Sequence, residues 1–323
     1  MAKKVCVTGA GGFQASWLVK LLLSRGYMVH GTVRDPDNEK NAHLKKLDSA
    51  AENLQLFKAD LLDYESISAA IKGCDGVFHV ACPVPPGKVP NPEKDLIEPA
   101  VMGTLNMLKA ASESKVERII VVSSVAAVAY NPNWPKDKVK DEECWSDEEY
   151  CKKTENWYCL AKTMAESEAF EYSKKTGLDV VTVCPSLIFG PLLQPTVNAS
   201  SMVVVRLLNG GYETLENRFR LIVDVRDVAE ALILAYENPK ASGRYICTSH
   251  EIKFQDLANK LRDMFPGYDY PKNIVEVDED DIHNISKLSA EKLKKLGWKC
   301  RPIEETLVDT VQHMIETGLL NKD

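Results

Sequence analysis

The chain has 323 residues, 45% of them apolar and 27% charged, a profile that fits a folded globular protein and excludes disordered and collagen-like classes. Its 47 acidic residues against 40 basic ones give a formal charge of -7, so a general binder of nucleic-acid backbone is not expected. The length suits about two domains of roughly 150 residues each.

No apolar run approaches the roughly 18 residues a membrane-spanning helix needs; the longest, 119–130, is interrupted by Ser123 and Ser124. The N-terminus passes from Met1-Ala2-Lys3-Lys4 straight into Val5-Cys6-Val7, without a signal-peptide pattern. Nine cysteines, an odd number with no CxxC pair, imply reduced thiols in a cytoplasmic protein.

In chain order, 4–8 and 27–33 read as strands on either side of a helical period at 15–24. A strand at 54–58, a helix at 64–71, a strand at 76–80, a helix at 94–111 and a strand at 118–122 follow. A helix at 157–174 and a strand at 179–184 complete the alternation. This order predicts an α/β fold, a Rossmann-type doubly wound parallel sheet with ligands at the carboxyl ends of its strands. The segment 131–150, rich in Pro, Trp and acidic residues, reads as a long surface loop on that edge. Beyond 185 the rhythm loosens into loop and short helix at 190–217, a helix at 223–236, a strand at 244–247 and helices at 254–265, 290–296 and 303–317. The expected division is a dinucleotide domain of 1–187 and 221–250 and a smaller, discontinuous substrate domain of 188–220 and 251–323.

Thr8-Gly9-Ala10-Gly11-Gly12-Phe13-Gln14-Ala15 follows the first strand and opens the first helix. In that context Gly9 allows the tight turn, Gly12 the approach of backbone to a pyrophosphate, and Ala15 close packing of helix on strand. Gln14 stands where an apolar residue is usual, which predicts a phosphate contact or a solvated position. The second strand ends in Val33-Arg34-Asp35. A carboxylate here would hold the ribose 2′-hydroxyl of NAD, whereas Arg34, joined by Lys40, accommodates the 2′-phosphate of NADP. Asp35 facing the ribose would shift the preference back towards NAD.

Tyr158 and Lys162 lie four apart near the start of a predicted helix and so share a face, while Ser123-Ser124 ends a strand. A phenol with a pKa near 10 is a poor acid or base at neutral pH, and a neighbouring ammonium moves it towards usefulness. Together with the glycine motif and a strand-end serine, the pair points to hydride chemistry at a carbonyl.

The combination of TGAGGFxASW, TVRDPxxEKNAHLKKL, GVFHVACPV, SSVAAVA, NWYCLAKT and GPLLQPTVNASS resembles the plant cinnamoyl-CoA reductase and dihydroflavonol reductase group of extended short-chain dehydrogenases, over essentially the whole chain. The resemblance implies Ser124 rather than Ser123 as the catalytic serine, with Tyr158 and Lys162, and NADP(H) as cofactor. It places Gly9, Gly12 and Phe13 at the pyrophosphate, Arg34 and Lys40 at the 2′-phosphate, and Asp60 and Leu61 at the adenine; Gly11 and Gln14, in the same turn, are expected to bind the cofactor on the reading of the turn itself. Val80, Ala81 and Cys82 would follow the fourth strand, with Pro185, Leu187, Ile188 and Ser200 on the nicotinamide side.

Two departures bear on substrate. Leu160-Ala161 replace the Tyr-Gly of NWYCYGK, and Val203 and Arg206 replace a His and a Lys in a segment resembling NASIIHILKYL. A CoA thioester needs partners for its phosphates, so the expectation is reduction of a phenylpropanoid-type aldehyde or ketone, such as cinnamaldehyde, with a hydroxycinnamoyl-CoA thioester as the alternative. Ser124, Tyr158, Ile188, Val203 and Arg206 would contact it. The expected partner is this small aromatic carbonyl compound, without nucleic acid, membrane or metal, in a monomer or weak homodimer. Rival readings are a sugar-nucleotide epimerase or dehydratase that retains its cofactor, and a non-catalytic NADP-binding redox sensor. Cys151 and Cys159, which flank the start of the tyrosine's helix, are expected to be reduced, and His79 a satisfied core residue.

Overall fold

The computed structural model describes residues 2–84, 89–278 and 287–320. Its first half runs β1 (Lys4–Val7), α1 (Phe13–Ser24), β2 (Met28–Val33), α2 (Ala42–Lys45), α3 (Ala50–Asn53), β3 (Leu54–Lys58), α4 (Tyr64–Ile71), β4 (Gly76–His79), α5 (Glu98–Glu113) and β5 (Arg118–Val122). Next come α6 (Glu148–Lys153), α7 (Trp157–Thr176), β6 (Val180–Pro185), β7 (Leu187–Phe189), α8 (Ala199–Leu208), β8 (Thr214–Glu216) and β9 (Phe219–Asp224). The chain closes with α9 (Val225–Glu237), β10 (Gly243–Cys247), β11 (His250–Lys253), α10 (Phe254–Met264), β12 (Asn273–Val275), α11 (Glu291–Lys295) and α12 (Ile303–Glu316).

Seven strands form one sheet in the order β10-β6-β5-β4-β1-β2-β3, every pairing parallel. This is the doubly wound Rossmann-type sheet that the alternation predicts. The order reverses between β1 and β4, and the crevice outside their carboxyl ends is where such sheets hold a ligand. Strands of this sheet are apolar on both faces because helices cover both; β1, β4, β5 and β6 are almost wholly buried. Leu18 and Leu22 of α1 and Val228 and Leu232 of α9 pack with Val29, Phe78 and Val181 on one side. On the other, Ile67, Ile71, Met107 and Leu108 pack with Val77 and Ile119.

A second core joins Phe189, Val204, Leu207, Leu215, Leu257, Leu261, Leu307 and Val311. Ala290, Leu293 and Trp298 cross back to the cluster of the large sheet, where Trp298 Nε1 donates to Asp227 O at 2.8 Å. The Trp17 indole of α1 donates to Pro191 O at 2.7 Å, stitching the two cores together beside the glycine turn.

The periodic reading misplaces several elements after 185. Residues 223–224, expected to open a helix with 225–236, belong to β9, which pairs with β11 antiparallel and β7 parallel. An apolar run there carries no period that separates strand from helix, and its partners lie elsewhere in the chain. Asp224 then accepts from Arg226 N at 2.8 Å and starts α9 as its N-cap. The expected loop at 131–150 ends earlier, since Asp147 caps α6 through Tyr150 N at 2.7 Å. The predicted helix at 94–111 begins as a π-helical turn, Glu93–Ile97, before α5. The acidic run at 276–281, whose charge pattern predicts a solvated surface, lies partly outside the described residues.

Candidate active site

The glycine turn is built as the motif requires. Gly9 has φ of +63°, in the left-handed region, and a Cβ on it would meet the Ala81 Cβ at 3.0 Å. Thr8 clamps the two strand ends: its Oγ1 accepts from Val80 N and Ala81 N at 2.9 Å each and lies 3.1 Å from His79 Nδ1. The turn therefore meets Val80 and Ala81 at the switch point, with Cys82 next in the chain. Gly12 is exposed and spends its own N–H on Gly9 O at 2.9 Å, so the first-turn N–H groups of α1 that follow it are the ones able to face an anion. Phe13 buries its ring with Phe189 and Leu192, so only its backbone can serve the turn.

Gly11 has a different duty. A Cβ on it would overlap Asn41 Oδ1, and Asn41, 3% exposed, donates Nδ2 to Asp35 O at 2.8 Å. Asn41 thus folds the 35–41 segment over the glycine turn, a role no motif announces. Gln14 is half-buried, and its Nε2 is buried without a partner, so the solvated alternative does not hold. An orphaned amide donor beside the glycine turn fits a cofactor phosphate.

Arg34 and Lys40 are exposed, and no carboxylate among the described residues pairs with either. Asp35 turns its carboxylate into its own loop, where Oδ1 accepts from Asp37 N at 3.1 Å. The two cations, rather than Asp35, are free to meet a 2′-phosphate. Asp60 and Leu61 follow the edge strand β3; Asp60 Oδ1 accepts from Leu62 N, and Leu61 packs against Gly103. On the other side, Pro185 ends β6 and Leu187 and Ile188 lie in β7, Ile188 touching both cores. Ser200 Oγ accepts from Asn198 Nδ2 at 2.6 Å near the start of α8.

Ser124, Tyr158 and Lys162 converge. Ser124 Oγ hydrogen-bonds the Tyr158 phenol and accepts from Ala126 N at 3.1 Å. Lys162, 6% exposed, donates to Val122 O at 3.1 Å and contacts the Cys82 side chain. Ser123 instead turns into the protein and donates to Glu166 at 2.8 Å, which leaves Ser124 facing the tyrosine. Burial raises the Tyr158 pKa, and the opposing pull of the Lys162 ammonium and the Ser124 hydrogen bond does not reverse it. The sequence argument that the ammonium would bring the phenol down is corrected by this balance: desolvation is the larger effect. Burial pulls Lys162 down, but Cys82 and Tyr158 beside it outweigh that, and its pKa is raised.

His79 is a satisfied core residue, as expected. Thr104 spends its hydroxyl proton on Ala100 O, so it accepts from His79 Nε2 at 3.1 Å, and Thr8 faces Nδ1. Burial, then Lys162, holds its pKa down to about 3. Cys151 and Cys159 are buried free thiols, both pushed up by burial, Cys151 to about 11. No group of metal-ligating side chains occurs among the described residues.

Of the substrate residues, Val203 is half-buried against the second core and Arg206 is exposed beside Tyr212. Leu160 and Ala161, 2% and 0% exposed, pack with Leu96, Ile97 and Ala100. Sequence reading reached Ser186 only as part of 185–188 and missed Thr248; the two follow the paired ends of β6 and β10, and their buried hydroxyls have no partner. Thr248 also lines a pocket of about 290 Å³ with Val139, Leu221 and Leu288.

The profile of the NAD dependent epimerase/dehydratase family matches residues 5–247. The chain belongs to that family. Among curated relatives it is 48% identical to cinnamoyl-CoA reductase 1 of Petunia hybrida over 316 residues, covering 98% of this chain and 93% of that one. It is 40% identical to tetraketide alpha-pyrone reductase 1 of Arabidopsis thaliana, with 98% and 97% covered. Among solved structures, vestitone reductase from alfalfa superposes with a TM-score of 0.82 at 31% identity, with 98% and 99% covered. The resemblance to the plant reductase group is thereby borne out. The chain is an oxidoreductase of the short-chain dehydrogenase/reductase kind, and its cofactor is NADP(H).

Proposed function

We propose that the chain reduces the thioester carbonyl of an aromatic acyl-CoA, a hydroxycinnamoyl-CoA, to the aldehyde with release of the thiol. The observation that carries this reading is the convergence of Ser124, Tyr158 and Lys162 at the carboxyl edge of a sheet whose curated relatives bear the name cinnamoyl-CoA reductase. The sequence argument for an aldehyde substrate loses one support, because Leu160 and Ala161 are core residues packed away from solvent. Val203, in place of an imidazole, remains the observation that favours the aldehyde reading.

Gly9, Gly12, Phe13 N and Gln14 would hold the pyrophosphate, Arg34 and Lys40 the 2′-phosphate, Asp60 and Leu61 the adenine, and Val80 to Cys82 with Pro185 to Ile188 the nicotinamide half. Bound there, NADPH supplies the hydride. Ser124 holds the carbonyl oxygen and stabilises its developing negative charge. Tyr158, kept protonated by burial, donates its proton to that oxygen to give a hemithioacetal, and the Lys162 ammonium offsets the phenolate left behind; the phenolate then takes the proton back as the carbonyl re-forms and the C–S bond breaks, and the departing thiolate is protonated to the thiol. In this division 1–187 with 221–250 bind the dinucleotide, and 188–220 with 251–323 wall the substrate cleft through Ile188, Val203 and Arg206. A cytoplasmic setting suits nine free cysteines, and no helix among the described residues is long and apolar enough to cross a membrane.

The test is NADPH oxidation with matched cinnamaldehyde and cinnamoyl-CoA series, beside Tyr158→Phe. Thioester preference is the expected result. Faster aldehyde turnover refutes the thioester and restores the alcohol-forming reductase; NADPH binding without turnover of either would favour the sensor.

A further inference from the structure

Behind the catalytic group lies a buried ion pair that the scheme above leaves unused. Glu166 follows Lys162 by one turn of α7 and is 1% exposed. Its carboxylate accepts Ser123 Oγ at 2.8 Å, Thr182 Oγ1 at 2.5 Å, and Nη2 and Nε of Arg244 at 2.8 and 3.0 Å. Arg244, on β10, is itself buried. It donates Nη1 to Cys144 O at 2.7 Å and Nη2 to Ala127 O at 3.3 Å, and sits 3.7 Å from the centre of the Trp145 ring.

A pair of this kind is weak evidence of stability, since desolvating both ions offsets most of their attraction, and apolar replacements are often as stable. What distinguishes this one is the destination of its bonds. They join the end of β5, α7, β6, β10 and the loop after Ser124, and two of those segments carry catalytic groups. Ser123, held in the carboxylate, fixes the strand end that points Ser124 at Tyr158. Glu166, held by the fork of Arg244, fixes the face of α7 from which Lys162 reaches Val122 O.

We propose that Glu166 and Arg244 are positioning residues for the reduction, setting Ser124 and Lys162 against Tyr158. The inference rests on the reductase reading above. It is tested on the full chain with Arg244→Met, Arg244→Lys and Glu166→Gln, measuring Tm, the Kd for NADPH by fluorescence, and kcat against pH with the better of the two substrate series.

Arg244→Met is expected to lower kcat at least tenfold while the NADPH Kd moves less than threefold, and Arg244→Lys to recover part of the loss. The alkaline limb of kcat should move in opposite directions. Arg244→Met leaves a carboxylate that favours the protonated phenol and shifts the limb up; Glu166→Gln leaves a guanidinium that shifts it down. A purely structural pair would lower Tm and the active fraction, with kcat per bound NADPH and the limb unchanged, and that result overturns the inference. Should Arg244→Met fail to fold, Arg244→Lys and Glu166→Gln decide by the same criteria. Absence of any wild-type turnover would remove the reductase reading and this inference with it; an active wild type with unaltered variants removes this inference alone.

Discussion

Gly11→Ala should loosen the cofactor site although Gly11 need not touch the cofactor. The new Cβ overlaps Asn41 Oδ1, with Asn41 Cγ at 3.3 Å and Val33 Cγ1 at 3.7 Å closing the other directions. The Asn41 amide must rotate away, which breaks its 2.8 Å bond to Asp35 O and frees the segment that carries Arg34 and Lys40. One hydrogen bond lost with the buried Asn41 amide left unsatisfied costs about 1–3 kcal/mol, or roughly 5- to 150-fold in an equilibrium constant, while Asp35 O keeps Asn38 N. The expected result is weaker NADPH binding within that range, with NADH affected less because it lacks the 2′-phosphate. Asn41→Ala alone loses the same bond. Once the amide is gone, Gly11→Ala has nothing to strike, so the double variant should bind NADPH more tightly than the sum of the single losses implies, by at least about 0.5 kcal/mol. Fluorescence titration of the four proteins closes the cycle. Additive losses, or a Gly11→Ala variant with wild-type affinity, would refute the reasoning.

Arg34→Gln should weaken NADPH by about 10- to 150-fold, the worth of a charge-assisted hydrogen bond of about 1.5–3 kcal/mol, and leave NADH nearly unchanged; the ratio of the two KM values reads it directly. Tyr158→Phe should lower kcat by roughly 10²- to 10⁴-fold at nearly unchanged NADPH affinity, measured as NADPH oxidation. For pH, reduction requires the protonated phenol, which exists below its pKa, and burial raises that pKa, so kcat should stay flat through neutrality and fall only in alkali. His79, held down to about 3, adds no limb near pH 6.5, and a limb found there would contradict its assignment to the core.

The alternation of the sheet strands with the longer helices up to β6 is legible because each of these elements carries its own period, whereas the short helices α2, α3 and α6 do not. The strand at 54–58 and the helix at 64–71 appear with the expected bounds, and the parallel sheet follows from their alternation. The glycine turn and the Tyr158–Lys162 pair were legible for the same reason: their residues are neighbours in the chain, and one turn or one helix face brings them together. The short strands β7, β8, β9, β11 and β12 were not, since each is defined by a partner that leaves no local mark.

The choice of Ser124 over Ser123 came from resemblance, and only the folded chain gives its physical ground, a carboxylate 43 residues away that takes the Ser123 proton. Asn41 over Gly11 and Arg244 on Glu166, the latter pair 78 residues apart, belong to the same class. Local sequence records which face of an element avoids water and which turn a glycine permits. It does not record which distant side chain fills the space behind a catalytic group, because that contact is set by packing between elements. Tertiary structure likewise decided the protonation of Tyr158, since the ammonium is visible four residues away but the burial that outweighs it is not.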